Sequence, residues 1–171
     1  MKLAFHASKK PRAQKALEEL KSRYKSVDPE DADVIITLGG DGTMLRALHS
    51  FVDYKAHMFG MNLGTLGFLL NSYSPDNLKS RIEKAQKFII HPLRMEAIDA
   101  EGNRYSELAF NEVSLLRETH SSAKIKVHIN DTVRIPELVC DGVMLSTALG
   151  STAYNSSAGG PILPLSANVL A

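Results

Sequence analysis

Cysteine is nearly absent from this chain of 171 residues: Cys140 stands alone, which excludes an internal disulfide and fits a reducing compartment. No apolar run approaches the length that spans a membrane. The opening Met1-Lys2-Leu3-Ala4-Phe5 lacks the long apolar core and small-residue cleavage site of a signal peptide and reads as a first strand. An excess of one charge is missing too. With 20 basic and 19 acidic side chains the net charge is +1, so nothing favours nonspecific binding to nucleic acid or to a membrane surface. The GxGxxG, GxxxxGK[ST] and GxSxG patterns are absent, as is any histidine–cysteine cluster with metal-ligand spacing. There are no repeats or low-complexity segments. These absences predict a soluble, cytoplasmic protein without nucleic-acid or membrane partners.

Hydrophobic residues make up 44% of the chain, enough for the packed core of one domain or two small ones. The first half reads as α/β. After the strand at residues 2–5, a helix opens at Pro11 with Ala13, Ala16, Leu17, Leu20 and Tyr24 as its buried stripe. Lys15, Glu18, Glu19, Lys21 and Arg23 form its wet side, and Asp28-Pro29-Glu30-Asp31 turns the chain into an apolar strand. A second strand, 58–62, leads to Leu63-Gly64-Thr65-Leu66-Gly67-Phe68-Leu69, expected on the same sheet edge as the loop after residue 38. There Phe68 can pack in the core or against a flat base. Ser74 as cap and Pro75 in the first turn predict a third helix, with Leu78, Ile82 and Ala85 buried.

The chain is organised around Val34-Ile35-Ile36-Thr37-Leu38-Gly39-Gly40-Asp41-Gly42-Thr43-Met44-Leu45, a buried strand, a glycine turn and the start of a helix. Gly39, Gly40 and Gly42 let a ligand approach the backbone and permit positive φ. Thr43 is placed to cap the helix, whose free N–H groups favour phosphate. Met44, Leu45, Leu48 and Phe51 form the expected buried side of that helix. Asp41 repels phosphate, so it stabilises the turn, holds Mg²⁺ or accepts a proton. Arg46, one turn on, reaches a phosphate or is an ordinary exposed arginine.

Near residue 88 the helical period gives way to alternation, predicting domains at 1–88 and 89–171, the first α/β and the second mainly β. Strands are expected at 88–100 and 108–116, joined through Glu101-Gly102-Asn103. Ile125, Val127 and Ile129 turn at Asn130-Asp131 into Val133 and Ile135. Asn111-Glu112 is polar inside an apolar run, and Asp141 is a second such carboxylate. Residues 150–161, small and rich in hydroxyls with one aromatic, suit close approach by a base and a ribose. Each also has a structural reading: a satisfied buried amide, a turn Asp, and a helix start capped by Ser151.

Gly39-Gly40-Asp41-Gly42-Thr43 matches a signature shared by NAD kinases, diacylglycerol and sphingosine kinases and 6-phosphofructokinases. With Asn62 to Phe68, Asn111-Glu112, and Asp141 through Gly160 following in order, residues 36–161 resemble the NAD kinase family. The Thr152-Ala153-Tyr154 segment, with Gly159-Gly160-Pro161 after it, separates that family from the lipid and sugar kinases. The resemblance implies a two-domain architecture and transfer of the γ-phosphoryl of ATP to the 2′-hydroxyl of the adenosine ribose of NAD, giving NADP. Asp41 is then the residue that takes the hydroxyl proton. Gly39, Gly40, Gly42, Thr43 and Arg46 fall at phosphate positions, and Asp41, Gly42 and Phe68 also touch NAD. Asn111 and Glu112 hold its adenosine part, Thr152, Ala153 and Tyr154 its adenine, and Asp141 the nicotinamide amide. Asn155 and Ser157 are further contact positions.

Mg²⁺ is expected to arrive with the nucleotide rather than on protein ligands. ATP is the implied donor, with polyphosphate open, and a dimer or tetramer is the implied assembly. Family members usually continue beyond residue 171, so the resemblance implies a truncated chain. The absent strands of the β half support oligomer contacts and the nicotinamide end of the site in the family, and a strand in residues 162–171 would lack partners. Two alternatives stay open: a lipid or sugar kinase sharing only the glycine turn, or a nucleotide-binding module without turnover.

Overall fold

Strand β1 (Leu3–Ala7) pairs in parallel with β2 (Val34–Gly39), setting Leu3 opposite Val34 and Ala7 opposite Leu38. The computed structural model describes residues 1–65 and 67–171; Leu66, part of the loop motif above, lies outside the described residues. Between the two strands runs α1 (Pro11–Arg23), with proline in its first turn and Ala13, Ala16 and Leu20 buried. Parallel β3 (His57–Asn62) and the short β4 (Asn71–Ser72) complete a sheet in sequence order.

All six residues of β2 are buried, as a strand covered on both faces requires. Val34, Ile36 and Leu38 join Ala13, Ala16, Leu20, Phe59, Met61 and Leu78 in one hydrophobic cluster. The other face meets α2 (Asp41–Ser50), where Met44 and Ala47 are buried and Leu45, Leu48 and Phe51 are half-buried.

Two helix starts differ from expectation. The cap of α2 is Gly40, not Thr43: the amides of Thr43 and Met44 both donate to the Gly40 carbonyl, at 2.8 and 3.2 Å. Thr43 lies inside the first turn, its side chain filling the space where a Cβ on Gly39 would sit. Gly39 is therefore small for close packing. Among the described residues, positive φ at glycine is found at Gly102 and Gly159, so the turn at 39–42 does not use it. Likewise α3 (Leu78–Lys84) is not capped by Ser74, whose hydroxyl accepts the Asp76 amide in a preceding turn. Its cap residue is Asn77 at φ 53, and the Leu78 amide donates to the hydroxyl of Tyr24, the residue that follows α1, at 3.3 Å.

The chain divides into two compact units, Met1–Lys87 and Phe88–Ala171. In the second, β5 (Leu93–Ile98) and β6 (Arg104–Ala109) form an antiparallel pair. β7 (Glu112–Leu116) does not continue β6. It pairs instead with β10 (Gly142–Ser146), and β8 (Ala123–Ile129) pairs with β9 (Thr132–Cys140).

The strand expected over 108–116 is broken because the chain after β10 takes the carbonyls at the break. Thr147 Oγ1 donates to the Phe110 carbonyl at 2.6 Å and its amide to the Asn111 carbonyl at 2.9 Å. Asn130 and Asp131, at φ 48 and 61, make the tight turn of the β8–β9 hairpin. The strand expected from residue 88 begins only at Leu93, after Pro92. Residues 162–171 form no strand, yet Ala171 exchanges backbone hydrogen bonds with Ser146 at 2.8 and 2.9 Å.

The core of the first unit hinges on the middle of β2. Ile36→Ala is expected to cost about 2–5 kcal/mol of stability, measured by urea unfolding. A loss under about 1 kcal/mol would show that this cluster does not hold the unit together.

Candidate active site

At the carboxyl edge of the parallel sheet, two loops run side by side, sewn by the Leu63 amide donating to the Gly39 carbonyl at 2.8 Å. This is the edge where open α/β sheets take ligands. Asp41 is the first residue of α2, where a carboxylate meets the positive end of the helix dipole. It reaches across to the second loop: Oδ2 accepts the Phe68 amide at 2.9 Å and Oδ1 the Leu69 amide at 3.1 Å. A Cβ on Gly40 would meet nothing within 4 Å, and one on Gly42 only Arg46 Nη1 at 3.8 Å. Backbone at both positions is open to a ligand.

Arg46 is exposed and donates from Nη2 to Thr43 Oγ1 at 3.4 Å. Burial first, and then the Arg46 guanidinium, hold the His6 imidazole below its usual value. Phe68 is 69% exposed, so the core alternative for its ring is excluded.

The second unit gathers the other polar residues in two places. Glu112 lies opposite Ser146 at one end of the β7–β10 ladder. Its Oε2 is buried without a hydrogen-bond partner among the described residues. Gly150 packs against the Asn111 carbonyl where any Cβ would collide, which draws residues 150–154 up to Asn111. Thr152 and Ala153 are half-buried, Ser157 is exposed, and the Tyr154 ring is 51% exposed.

Asn155 is buried and its Nδ2 donates to the carbonyls of Ser151 and Pro161 at 3.2 and 2.8 Å, fixing the turn through Gly160. Ser151 caps no helix. Its hydroxyl donates to the Ala148 carbonyl at 2.7 Å and accepts the Leu163 amide at 2.9 Å. Asp141 stands just beyond the far end of the ladder from Glu112, roughly 17 Å along the strand direction at strand spacing. There it is ion-paired with Arg117, Nε to Oδ1 at 2.6 Å.

Sequence reasoning passed over the Leu69 amide and the tie between Asn62 Oδ1 and the Gly64 amide at 2.8 Å. The glycines at 64 and 67 were their signal. It also missed Thr147, whose hydroxyl bonds the Phe110 carbonyl and accepts the Gly150 amide at 3.0 Å.

Burial pushes the Glu112 carboxyl above its ordinary value. The folded protein therefore keeps this proton to higher pH than the unfolded chain does. The resulting stabilisation is complete below the unfolded value and is lost as pH rises through the folded one. Glu112→Gln cannot ionise, so its stability relative to the parent is expected to improve as pH rises through that window. Urea unfolding of both proteins between about pH 4 and pH 8 measures this. A difference that does not change with pH would contradict it.

Against known proteins, residues 1–87 match the ATP-NAD kinase N-terminal domain and residues 110–171 the ATP-NAD kinase C-terminal domain. The NAD kinase of Caulobacter vibrioides is 52% identical over 170 residues, covering 99% of this chain and 65% of its own length. That of Hyphomonas neptunium is 49% identical over 171 residues, covering 100% and 67%. The chain thus spans about two thirds of the length of these relatives.

Among solved structures, an NAD kinase from Archaeoglobus fulgidus in complex with ATP superposes with a TM-score of 0.70. It is 27% identical, with 99% of this chain and 70% of that one covered. Yeast NADH kinase complexed with NADH superposes at 0.77 over 99% of this chain and 64% of that one; at 21% identity this likeness speaks for the fold alone. An α/β unit carrying the glycine turn, a strand-rich unit after it and matches to both domain models establish that the chain belongs to the NAD kinase family.

Proposed function

We propose that this protein transfers the γ-phosphoryl group of ATP to the 2′-hydroxyl of the adenosine ribose of NAD, giving NADP. The observation that carries the reading is Asp41, a carboxylate fixed at a helix N-terminus beside open glycine backbone. The names of the relatives, all NAD kinases, agree with it.

Each Asp41 oxygen accepts one amide and retains a further lone-pair direction. That leaves room for the ribose hydroxyl. The hydroxyl proton passes to Asp41 as the 2′-oxygen attacks the γ-phosphorus, and the bond from γ-phosphorus to the β,γ-bridging oxygen breaks to release ADP. The open backbone at Gly40 and Gly42 lines the phosphates, with Gly39 and Thr43 packed against each other beneath it and Arg46 one turn away as a bidentate cation.

The described residues hold no cluster of three or more metal-ligating side chains. Mg²⁺ would arrive with the nucleotide, keeping several waters and held largely by the phosphates, with Asp41 able to lend one oxygen. When bound, it neutralises charge on the β- and γ-phosphate oxygens.

The unpartnered Glu112 oxygen suits a ribose hydroxyl donor. Asn111 lies beside it on the adenosine side, and the exposed Tyr154 ring, with Thr152 and Ala153, offers a face to adenine. Asp141, at the other end of the ladder, accepts the nicotinamide amide, and Phe68 offers its ring to the dinucleotide. Asn155 contributes through the turn it holds, and Ser157 lies exposed nearby. The division of labour follows domains 1–88, for phosphates, and 89–171, for NAD. Polyphosphate is a second candidate donor, a homodimer or homotetramer the assembly, and the cytoplasm the compartment.

Protein, ATP, Mg²⁺ and NAD are expected to yield NADP, assayed by an NADP-specific dehydrogenase. Asp41→Asn should lose about 10²–10⁴-fold in rate while NAD binding, read by calorimetry, persists. Undiminished turnover would remove Asp41 from the base role. NAD binding without any NADP in the parent would instead favour a binding module, and consumption of a lipid or sugar acceptor a different kinase.

A further inference from the structure

The two amides on Asp41 approach different oxygens, Phe68 N–H to Oδ2 at 2.9 Å and Leu69 N–H to Oδ1 at 3.1 Å. A single hydrogen bond would leave the carboxylate free to swing about it. One bond on each oxygen fixes the rotation of the carboxylate plane as well as its place. Both donors belong to the backbone, which moves less than a side chain donor would. Gly67 immediately precedes them, and its bare Cα makes the approach possible. A Cβ there would lie 3.2 Å from Asp41 Oδ1, 3.2 Å from Leu70 Cδ1 and 3.3 Å from Asn62 Cγ. The loop is anchored at its start by Asn62 Oδ1, which accepts the Gly64 amide at 2.8 Å.

We infer that residues 67–69 are a clamp that orients the Asp41 carboxylate toward the acceptor hydroxyl, with Gly67 as the positioning residue that lets the amide pair reach it. This rests on the reading of Asp41 as the base. The clamp joins the start of α2 to the loop after β3, so the general base is held from both sides of the sheet edge. Alanine at 67 has to push either the carboxylate or the loop, because Leu70 and Asn62 leave no other direction for the added carbon. The added carbon requires these neighbours to give by a few tenths of an ångström, a smaller misplacement than the roughly 1 Å that costs a reacting group about 10²-fold in rate. Binding of NAD draws also on Asn111, Glu112 and residues 152–154, outside the clamp, and should lose less than kcat does.

Two measurements test it. In the first, amide hydrogen exchange is followed by NMR in the parent and in Asp41→Ala. Phe68 and Leu69 are expected to exchange about tenfold faster in the variant, while amides of β2 keep the parent rate. In the second, steady-state kinetics of Gly67→Ala are expected to show kcat reduced by less than about 10²-fold, with KM for NAD changed less than kcat and the melting temperature close to the parent value. Unchanged exchange at both amides overturns the clamp, and so does an unchanged kcat in a folded Gly67→Ala protein. If Gly67→Ala does not fold, the exchange result decides alone. A parent that shows the expected exchange pattern yet makes no NADP overturns the phosphoryl-transfer reading and leaves the clamp standing.

Discussion

The hydrogen bonds from the Phe68 and Leu69 amides to the Asp41 carboxylate join two segments that are remote in sequence. One is the first turn of α2, the other the loop that follows β3. Bonds to an ionised acceptor are roughly twice as strong as neutral ones. Here they act where two parallel strands end side by side, Gly39 opposite Asn62. The glycines around them follow from this geometry. Gly39 yields its side-chain space to Thr43, which lets α2 start directly over β2. Gly67 yields space to the carboxylate itself, and Gly40 and Gly42 leave backbone open on the solvent side.

Much of this framework can be read along the chain. The apolar run of β2 predicts a strand buried on both faces, and the stripe of α1 predicts the helix that covers one of them. Asn130-Asp131 predicts its hairpin because both residues tolerate the positive φ that such a turn demands. These features are legible because the physics is local: a period, a cap preference, a turn conformation. The misreadings share the opposite cause. Thr43 has the chemistry of a cap, but close packing on Gly39 draws it into the first turn. Ser74 looks like the cap of α3, yet the Leu78 amide finds its acceptor in Tyr24, 54 residues earlier. No window of sequence contains that contact.

The candidate site was legible in a similar proportion. Asp41 and its glycines announce themselves, because a carboxylate set among three glycines at a helix start calls for an explanation. That its partners would be two backbone amides cannot be read from side-chain types at all. Asn155 illustrates the reverse. Its chemistry suits a ligand contact, but its amide nitrogen is committed to the carbonyls of Ser151 and Pro161, which fix the turn.

The two units are stabilised differently, and this bears on how each recognises a ligand. The first packs an aliphatic cluster on one face of a parallel sheet and α2 on the other, which gives rigid strand ends on which to mount a side chain such as Asp41. Among the described residues, the second has antiparallel strand pairs with Leu115 and Leu116 exposed, and such pairs alone are only marginally stable. Buried polar side chains make up part of the difference: Thr147, Ser151 and Asn155 each bond backbone groups that would otherwise be stranded. Glu112 is the exception, with one oxygen buried and unanswered. An unpaired buried acceptor costs about 1–3 kcal/mol, or more when charged. That cost weighs on the free protein and lifts when a hydroxyl donates to it. On the proposed reading, in which a ribose hydroxyl meets Glu112, that relief would add to binding, and a ligand lacking the hydroxyl would forfeit it.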